Sequence, residues 1–184
     1  FTTEYDGSGF SGFQRQKNAI SIQQNLEEAI EKITQEKKVI NYAGRTDAGV
    51  HALSQVFDFT TDIIREEKNW IDGINSNLPD AIAVTKMFKV PDDFHSRFSA
   101  VERSYTYMIY NSRSKPLFFD SCSHWDNNNL DLGVLSQQAK MFIGEHNFTS
   151  FRSSSCSSKN PIKSIRDIEI EYHDKFIFIS IHAN

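Results

Sequence analysis

Cysteine is scarce in this chain of 184 residues: Cys122 and Cys156 are the two present, and they form no C-x-x-C pair. That argues against a zinc ribbon and against a disulfide framework, and two free thiols in a reducing, cytoplasmic setting are expected. The six histidines, His51, His95, His124, His146, His173 and His182, never fall at H-x3-H spacing. No metal site is expected from them. No apolar run approaches the ~20 residues of a transmembrane helix, and no charged stretch followed by an apolar core reads as a secretory signal. Membrane association is not expected. Positive charge is not in excess either: 20 Lys and Arg stand against 24 Asp and Glu, a net −4 at pH 7. Taken alone, that balance counts against nucleic-acid binding.

The distribution of charge points the other way. Between Arg152 and Arg166 the chain carries Arg152, Lys159, Lys163 and Arg166 with no acidic residue. Between His95 and Lys115 it carries Arg97, Arg103, Arg113 and Lys115 against Glu102. Local stripes of this kind suit phosphate contacts whatever the global sum; solvated loops are the competing reading. Fifteen Phe and six Tyr are a high aromatic load. Most of these rings belong to a core, and some are candidates for base stacking.

Periodicity outlines the architecture. Phe1–Asp6 alternates and reads as a strand, followed by a turn at Gly7-Ser8-Gly9. Ser21 and Gln24 fit a capping box opening a helix, with Ile22, Leu26, Ala29, Ile30 and Ile33 along its inner face. Glu27, Glu28, Glu31 and Lys32 are assigned to its solvated back. Val39–Ala43 and Leu53–Phe59 read as strands on either side of a loop. Trp70, Ile71, Ile74 and Leu78 mark a second helix closed by Pro79, and Ile82–Val90 another strand. In Arg103–Tyr110 a period of two puts Arg103, Tyr105, Tyr107 and Ile109 on one face. Residues 111–129 read as a loop. Leu132, Leu135, Ala139, Phe142 and Ile143 form a third helix stopped by Gly144, and Ser150–Lys159 a surface loop. Ile165–Tyr172 and Phe176–Ile181 form a hairpin about His173-Asp174-Lys175. The expected class is α+β, a mostly antiparallel sheet with helices packed on one face. With no low-complexity linker, 1–100 and 101–184 are treated as two related halves of one unit.

The chemistry concentrates in Gly44-Arg45-Thr46-Asp47-Ala48-Gly49-Val50-His51-Ala52. Glycines allow a sharp turn and close approach of a ligand. Arg45 stands two residues from Asp47 and favours its charged form. A positioned, ionised carboxylate suits nucleophilic attack better than proton donation. The bland alternative is an Asx-type turn with Asp47 capping amides and Arg45 paired to it.

This loop resembles the signature of the tRNA pseudouridine synthase A family, and matches it throughout. Tyr5-Asp6-Gly7 with Gly12-Phe13-Gln14 is similar to the family's first strand and loop, although Phe13 stands where tryptophan is common. Ser21-Ile22-Gln23, Asn75-Ser76-Asn77-Leu78-Pro79, Asp93–Ala100 and Gly144–Phe151 resemble further blocks, in the family's order. The resemblance implies an isomerase that converts uridine to pseudouridine on the 3′ side of the tRNA anticodon arm. It implies a homodimer, no cofactor, and an active-site cleft between two similar halves. It assigns Asp47 as the catalytic aspartate, Arg45 to the space vacated by a flipped base, and Tyr105 to stacking on the uracil. Without it, Tyr105 and Tyr107 are expected to be core tyrosines. The family's pattern continues past the final strand with another active-site arginine, so the chain is expected to be an incomplete copy, running on beyond Asn184.

Two other classes compete. A non-catalytic RNA-binding module on the same scaffold would keep the basic stripes and need no acid at position 47. An aspartate hydrolase or phosphotransferase would call for a second acid or a paired-carboxylate magnesium site, and Asp92-Asp93 is the one adjacent aspartate pair.

Overall fold

The computed structural model of the chain describes residues 1–152 and 160–184, so Cys156 and Lys159 lie outside the described residues. The backbone divides into two units, Phe1–Ala100 and Val101–Asn184.

The first unit is built on strands β1 (Thr2–Tyr5), β2 (Asn41–Tyr42), β3 (Ala52–Asp58) and β4 (Ile82–Lys86), in the order β2-β3-β1-β4 with antiparallel pairing throughout. Helix α1 (Ile22–Thr34) starts where Ser21 accepts a hydrogen bond from the Gln24 N–H at 3.3 Å. This is one arm of the expected capping box. The Gln24 side chain turns instead to Glu28, at 2.8 Å. The helix ends on Gln35, in the left-handed region at φ 59°. Its inner residues Ile22, Leu26, Ala29 and Ile30 are buried, worth roughly 1.5–3 kcal/mol for each large side chain.

Helix α2 (Glu67–Asn75) buries Trp70 and Ile74 and packs beside α1. Its last residue joins it to the sheet. The Asn75 amide donates to the Val84 carbonyl at 2.9 Å and accepts from the Val84 N–H at 2.7 Å. Tyr5, Phe57, Ile82 and Val84 from the strands share one core with the buried stripes of both helices and with Phe13.

The second unit contains β5 (Arg103–Asn111), β6 (His124–Asp126), α3 (Leu132–Ala139), β7 (Gly144–Asn147), β8 (Ile162–His173) and β9 (Phe176–Ala183). The sheet order is β6-β5-β9-β8-β7, with β5 and β6 parallel and the other pairs antiparallel. The hairpin β8–β9 turns at Asp174, whose φ of 54° is one that Asp tolerates better than most residues.

Several local expectations are corrected. β6 lies within the stretch read as loop, and β7 begins at the glycine read as a helix stop. Both are short edge strands, held by backbone pairing and without an apolar alternation to reveal them. α3 ends at Ala139; Phe142 of its expected apolar stripe falls in a single 3-10 turn, Lys140–Phe142, and Ile143 follows it in extended conformation. Glu27, assigned to the solvated back of α1, is buried.

Candidate active site

Asp47 lies in the first unit, in the loop joining β2 to β3. The base of the loop is closed by strand pairing, continued by the Ala43 N–H to the Val56 carbonyl at 2.9 Å. Gln55 Nε2 donates to the Gly44 carbonyl at 2.6 Å. At the tip, the Val50 N–H donates to the Asp47 carbonyl at 3.2 Å, and Gly49 takes a φ of 80° that glycine adopts without steric cost. The backbone therefore closes this turn, and Asp47 is exposed.

The loop rests on residues far away in sequence. The Tyr5 hydroxyl lies 2.9 Å from Thr46 Oγ1, and the Phe13 N–H donates to the Thr46 carbonyl at 3.0 Å. Gly12, at φ 89°, faces the same carbonyl so closely that a Cβ would stand 2.8 Å from its oxygen. A Cβ on Gly7 would stand 2.0 Å from the Val50 carbonyl oxygen. At the exit, His51 Nδ1 is 3.1 Å from Asp6 Oδ1. Hydrogen bonds from the Ser8 side chain and N–H, with the nearby His51, hold the Asp6 carboxyl below its ordinary range. Sequence reasoning missed Tyr5, Gly7, Gly12 and Phe13 as the bed of the loop. The signal was the pair of glycine-bearing blocks after β1, whose close approach to this loop becomes visible only when the chain is folded.

Arg45 shares the Asp47 loop and is exposed. Tyr105 is in the second unit, on β5, with 51% of its surface exposed, and Tyr107 beside it is 54% exposed. Neither is the core tyrosine that periodicity alone suggests. Arg103 stands on the same face of β5 and is half-buried.

The other basic candidates sit in differing environments. Arg97 is exposed on a turn at the end of the first unit, its guanidinium carbon 5.5 Å from the centre of the Phe98 ring, a cation–π distance. That turn is pinned to β3 by the Ser96 N–H, which donates to Asp58 at 2.7 Å. Lys163 is exposed on β8, opposite His146 of β7. Arg166 is paired with Glu102 at 2.9 Å, Arg152 is half-buried, and Lys159 lies outside the described residues. A cavity of about 430 Å³ in the second unit is lined by Met141, Phe142, His146, Phe148 and Phe151 among others; none of the candidate site residues lines it. Among the described residues, no cluster of three His, Cys, Asp or Glu could hold a metal ion. No helix among them is long and apolar enough to cross a membrane.

Comparison with known proteins bears on the whole chain. A family model described as tRNA pseudouridine synthase matches residues 2–99 and 138–184, a range that includes the Asp47 loop. The chain is 44% identical over 182 residues to a protein of Shewanella sediminis named tRNA pseudouridine synthase A, covering 98% of this chain and 69% of that protein. It is 42% identical over 181 residues to a protein of the same name from Nitrosomonas eutropha, covering 98% and 65%. With the one from Alcanivorax borkumensis it shares 40% over 182 residues, covering 98% and 68%.

Proposed function

The chain belongs to the tRNA pseudouridine synthase family, and we propose that Asp47 carries the chemistry by which it isomerises uridine to pseudouridine in tRNA. One observation carries this assignment: an exposed carboxylate on a loop whose backbone is held from beneath by Tyr5, Gly7, Gly12 and Phe13. A rigid bed under a reactive side chain is what positional catalysis requires.

The reaction breaks the C–N glycosidic bond, turns the uracil, and forms a C–C bond at its C5, whose hydrogen passes to solvent. A carboxylate serves such a reaction as nucleophile at the ribose C1′ or the uracil C6, or as a base at C2′ that gives a glycal. Each route needs the carboxylate within reach of the nucleotide, and the exposed tip of the loop leaves Asp47 accessible.

A stacked uridine must first leave its helix, at a cost on the order of a few kcal/mol. Tyr105 offsets this by stacking, which is worth ~1–3 kcal/mol per base; its half-exposed ring supports that role. Arg45, exposed on the same loop as Asp47, fills the space the base leaves. Arg97, Arg103, Arg152, Lys159, Lys163 and Arg166 supply phosphate contacts in this reading. The substrate region is the anticodon arm and the working form a homodimer, which the resemblance of the sequence blocks supports; the compartment is the cytoplasm, which the two cysteines in no C-x-x-C pairing support.

The test is substitution of Asp47 in the intact protein. Asp47→Ala and Asp47→Asn are expected to abolish pseudouridine formation while tRNA binding persists. Turnover by either variant, with its circular dichroism unchanged, would overturn the assignment. Loss of binding together with activity would favour a purely RNA-binding role for the loop.

A further inference from the structure

We propose that Glu27 is a positioning residue for Asp47, acting through Arg15 and Gln23. The inference rests on the reading of Asp47 as the reacting carboxylate.

Glu27 lies on α1, one turn beyond Gln23, and its side chain is 8% exposed. Oε2 accepts from Arg15 Nη1 at 2.8 Å. Oε1 accepts from Gln23 Nε2 at 2.8 Å and from the Ile40 N–H at 3.4 Å. Gln23 passes the constraint on: its Oε1 accepts from the Arg15 N–H at 2.9 Å, and its own N–H donates to the Phe13 carbonyl at 2.9 Å. The Ile22 N–H donates to the Gly12 carbonyl at 3.3 Å. Residues 12–15 are thus pinned to the first turns of α1.

Those same residues form the bed of the Asp47 loop, through Phe13 on Thr46 and Gly12 against the Thr46 carbonyl. The other anchor of Glu27, the Ile40 N–H, lies one residue before β2, the strand that runs into the loop. One buried carboxylate therefore ties together both segments that approach the site.

A buried ion pair is commonly matched or bettered in stability by apolar side chains of similar volume, whereas a carboxylate with both oxygens hydrogen-bonded, as in Glu27, is suited to holding its partners in one arrangement. The pair is also asymmetric. The Arg15 side chain is 50% exposed, and its other terminal nitrogen lies 4.0 Å from Glu28. Arg15 can therefore be changed from the solvent side.

The experiment uses the intact protein and four variants, Glu27→Gln, Arg15→Gln, Arg15→Lys and the double Arg15→Gln/Glu27→Gln, with Asp47→Ala alongside. Single-turnover rate, tRNA dissociation constant and thermal midpoint are measured for each. Glu27→Gln and Arg15→Gln are expected to slow the single-turnover rate by about 10–100-fold, because an error of about 1 Å near reacting groups can cost ~10²-fold. The tRNA dissociation constant stays unchanged. Arg15→Lys restores part of the rate, since its ammonium still reaches Oε2. The double variant Arg15→Gln/Glu27→Gln is no slower than the worse single one, as expected for groups acting as a unit.

A merely structural role would lower the midpoint and leave the rate of the folded protein intact, and that result overturns the proposal. So do multiplying losses in the double variant, which would mean that Arg15 acts independently of Glu27. If Glu27→Gln does not fold, Arg15→Gln decides, and its full rate overturns the proposal. Activity in Asp47→Ala refutes the reading of Asp47 itself. An inert Asp47→Ala beside a fully active Glu27→Gln refutes the positioning role alone.

Discussion

Gly7 and Gly9 bound a single 3-10 turn after β1, and the structure assigns them opposite sensitivities. A Cβ on Gly7 would lie 2.0 Å from the Val50 carbonyl oxygen and 2.6 Å from its carbon, both backbone atoms, whereas real Cβ atoms essentially never come within 3.0 Å. The Val50 peptide must retreat by about 1 Å, and a misplacement of that size near reacting groups can cost ~10²-fold in rate. Val50 is bonded through its N–H to the Asp47 carbonyl, so the shift reaches the turn that carries the carboxylate. A Cβ on Gly9 meets nothing within 4 Å. Gly7→Ala is therefore expected to slow catalysis by about 10²-fold. Overpacking of this kind costs about 1–3 kcal/mol, lowering the thermal midpoint by about 2–4 °C per kcal/mol at this chain length. Gly9→Ala is expected to keep the full rate and to gain up to about 1 kcal/mol from a stiffer unfolded chain. The rate is read in single turnover as release of labelled hydrogen from C5 of uridine, and the midpoint by circular dichroism. A Gly7→Ala protein with full rate and an unshifted midpoint would refute the contact. Equal losses in the two variants would show that flexibility of the turn, not the Val50 contact, matters.

Two further outcomes follow from charges in the structure. Burial pushes the Asp58 carboxyl up, but hydrogen bonds from Asn41 and Ser96 and the nearby His95 outweigh it and hold it below 3.8. Its contribution to stability is then present above pH 3.8 and lost as pH falls through the lower folded value. Asp58→Asn should lower the melting temperature at neutral pH and converge with the unmodified protein in acid; a gap independent of pH would contradict this. For RNA binding, Lys163→Ala should reduce the log–log salt slope of tRNA affinity by about one. Arg166→Ala should reduce it less, because Glu102 already pairs with that guanidinium at 2.9 Å. Equal reductions would count against that difference.

Much of the fold is local information and was legible as such. The Ser21 cap, the apolar stripe of α1, the alternation in β5 and the β8–β9 hairpin each follow from spacing along the chain, because helices and strands impose periods that a core must match. The Asp47 loop was legible by composition, a carboxylate beside an arginine among glycines.

Folding decided the rest by bringing distant partners together. Gln23, Glu27 and Thr34 lie on one side of α1 and are all buried, yet polarity alone assigns Glu27 to water. Its burial depends on Arg15 and Ile40, which no helical period can reveal. Alternation places Tyr105 and Tyr107 on one face of β5, but whether that face is covered depends on what packs against the sheet. β6 and β7 exist because β5 and β8 offer them unpaired backbone, a property of the neighbouring strand rather than of their own residues. Gly7 and Gly12 read as ordinary turn residues until Val50 and Thr46 arrive against them. A side chain's chemistry belongs to its residue, while its exposure, its partners and its freedom to move belong to the neighbours that the folded chain supplies.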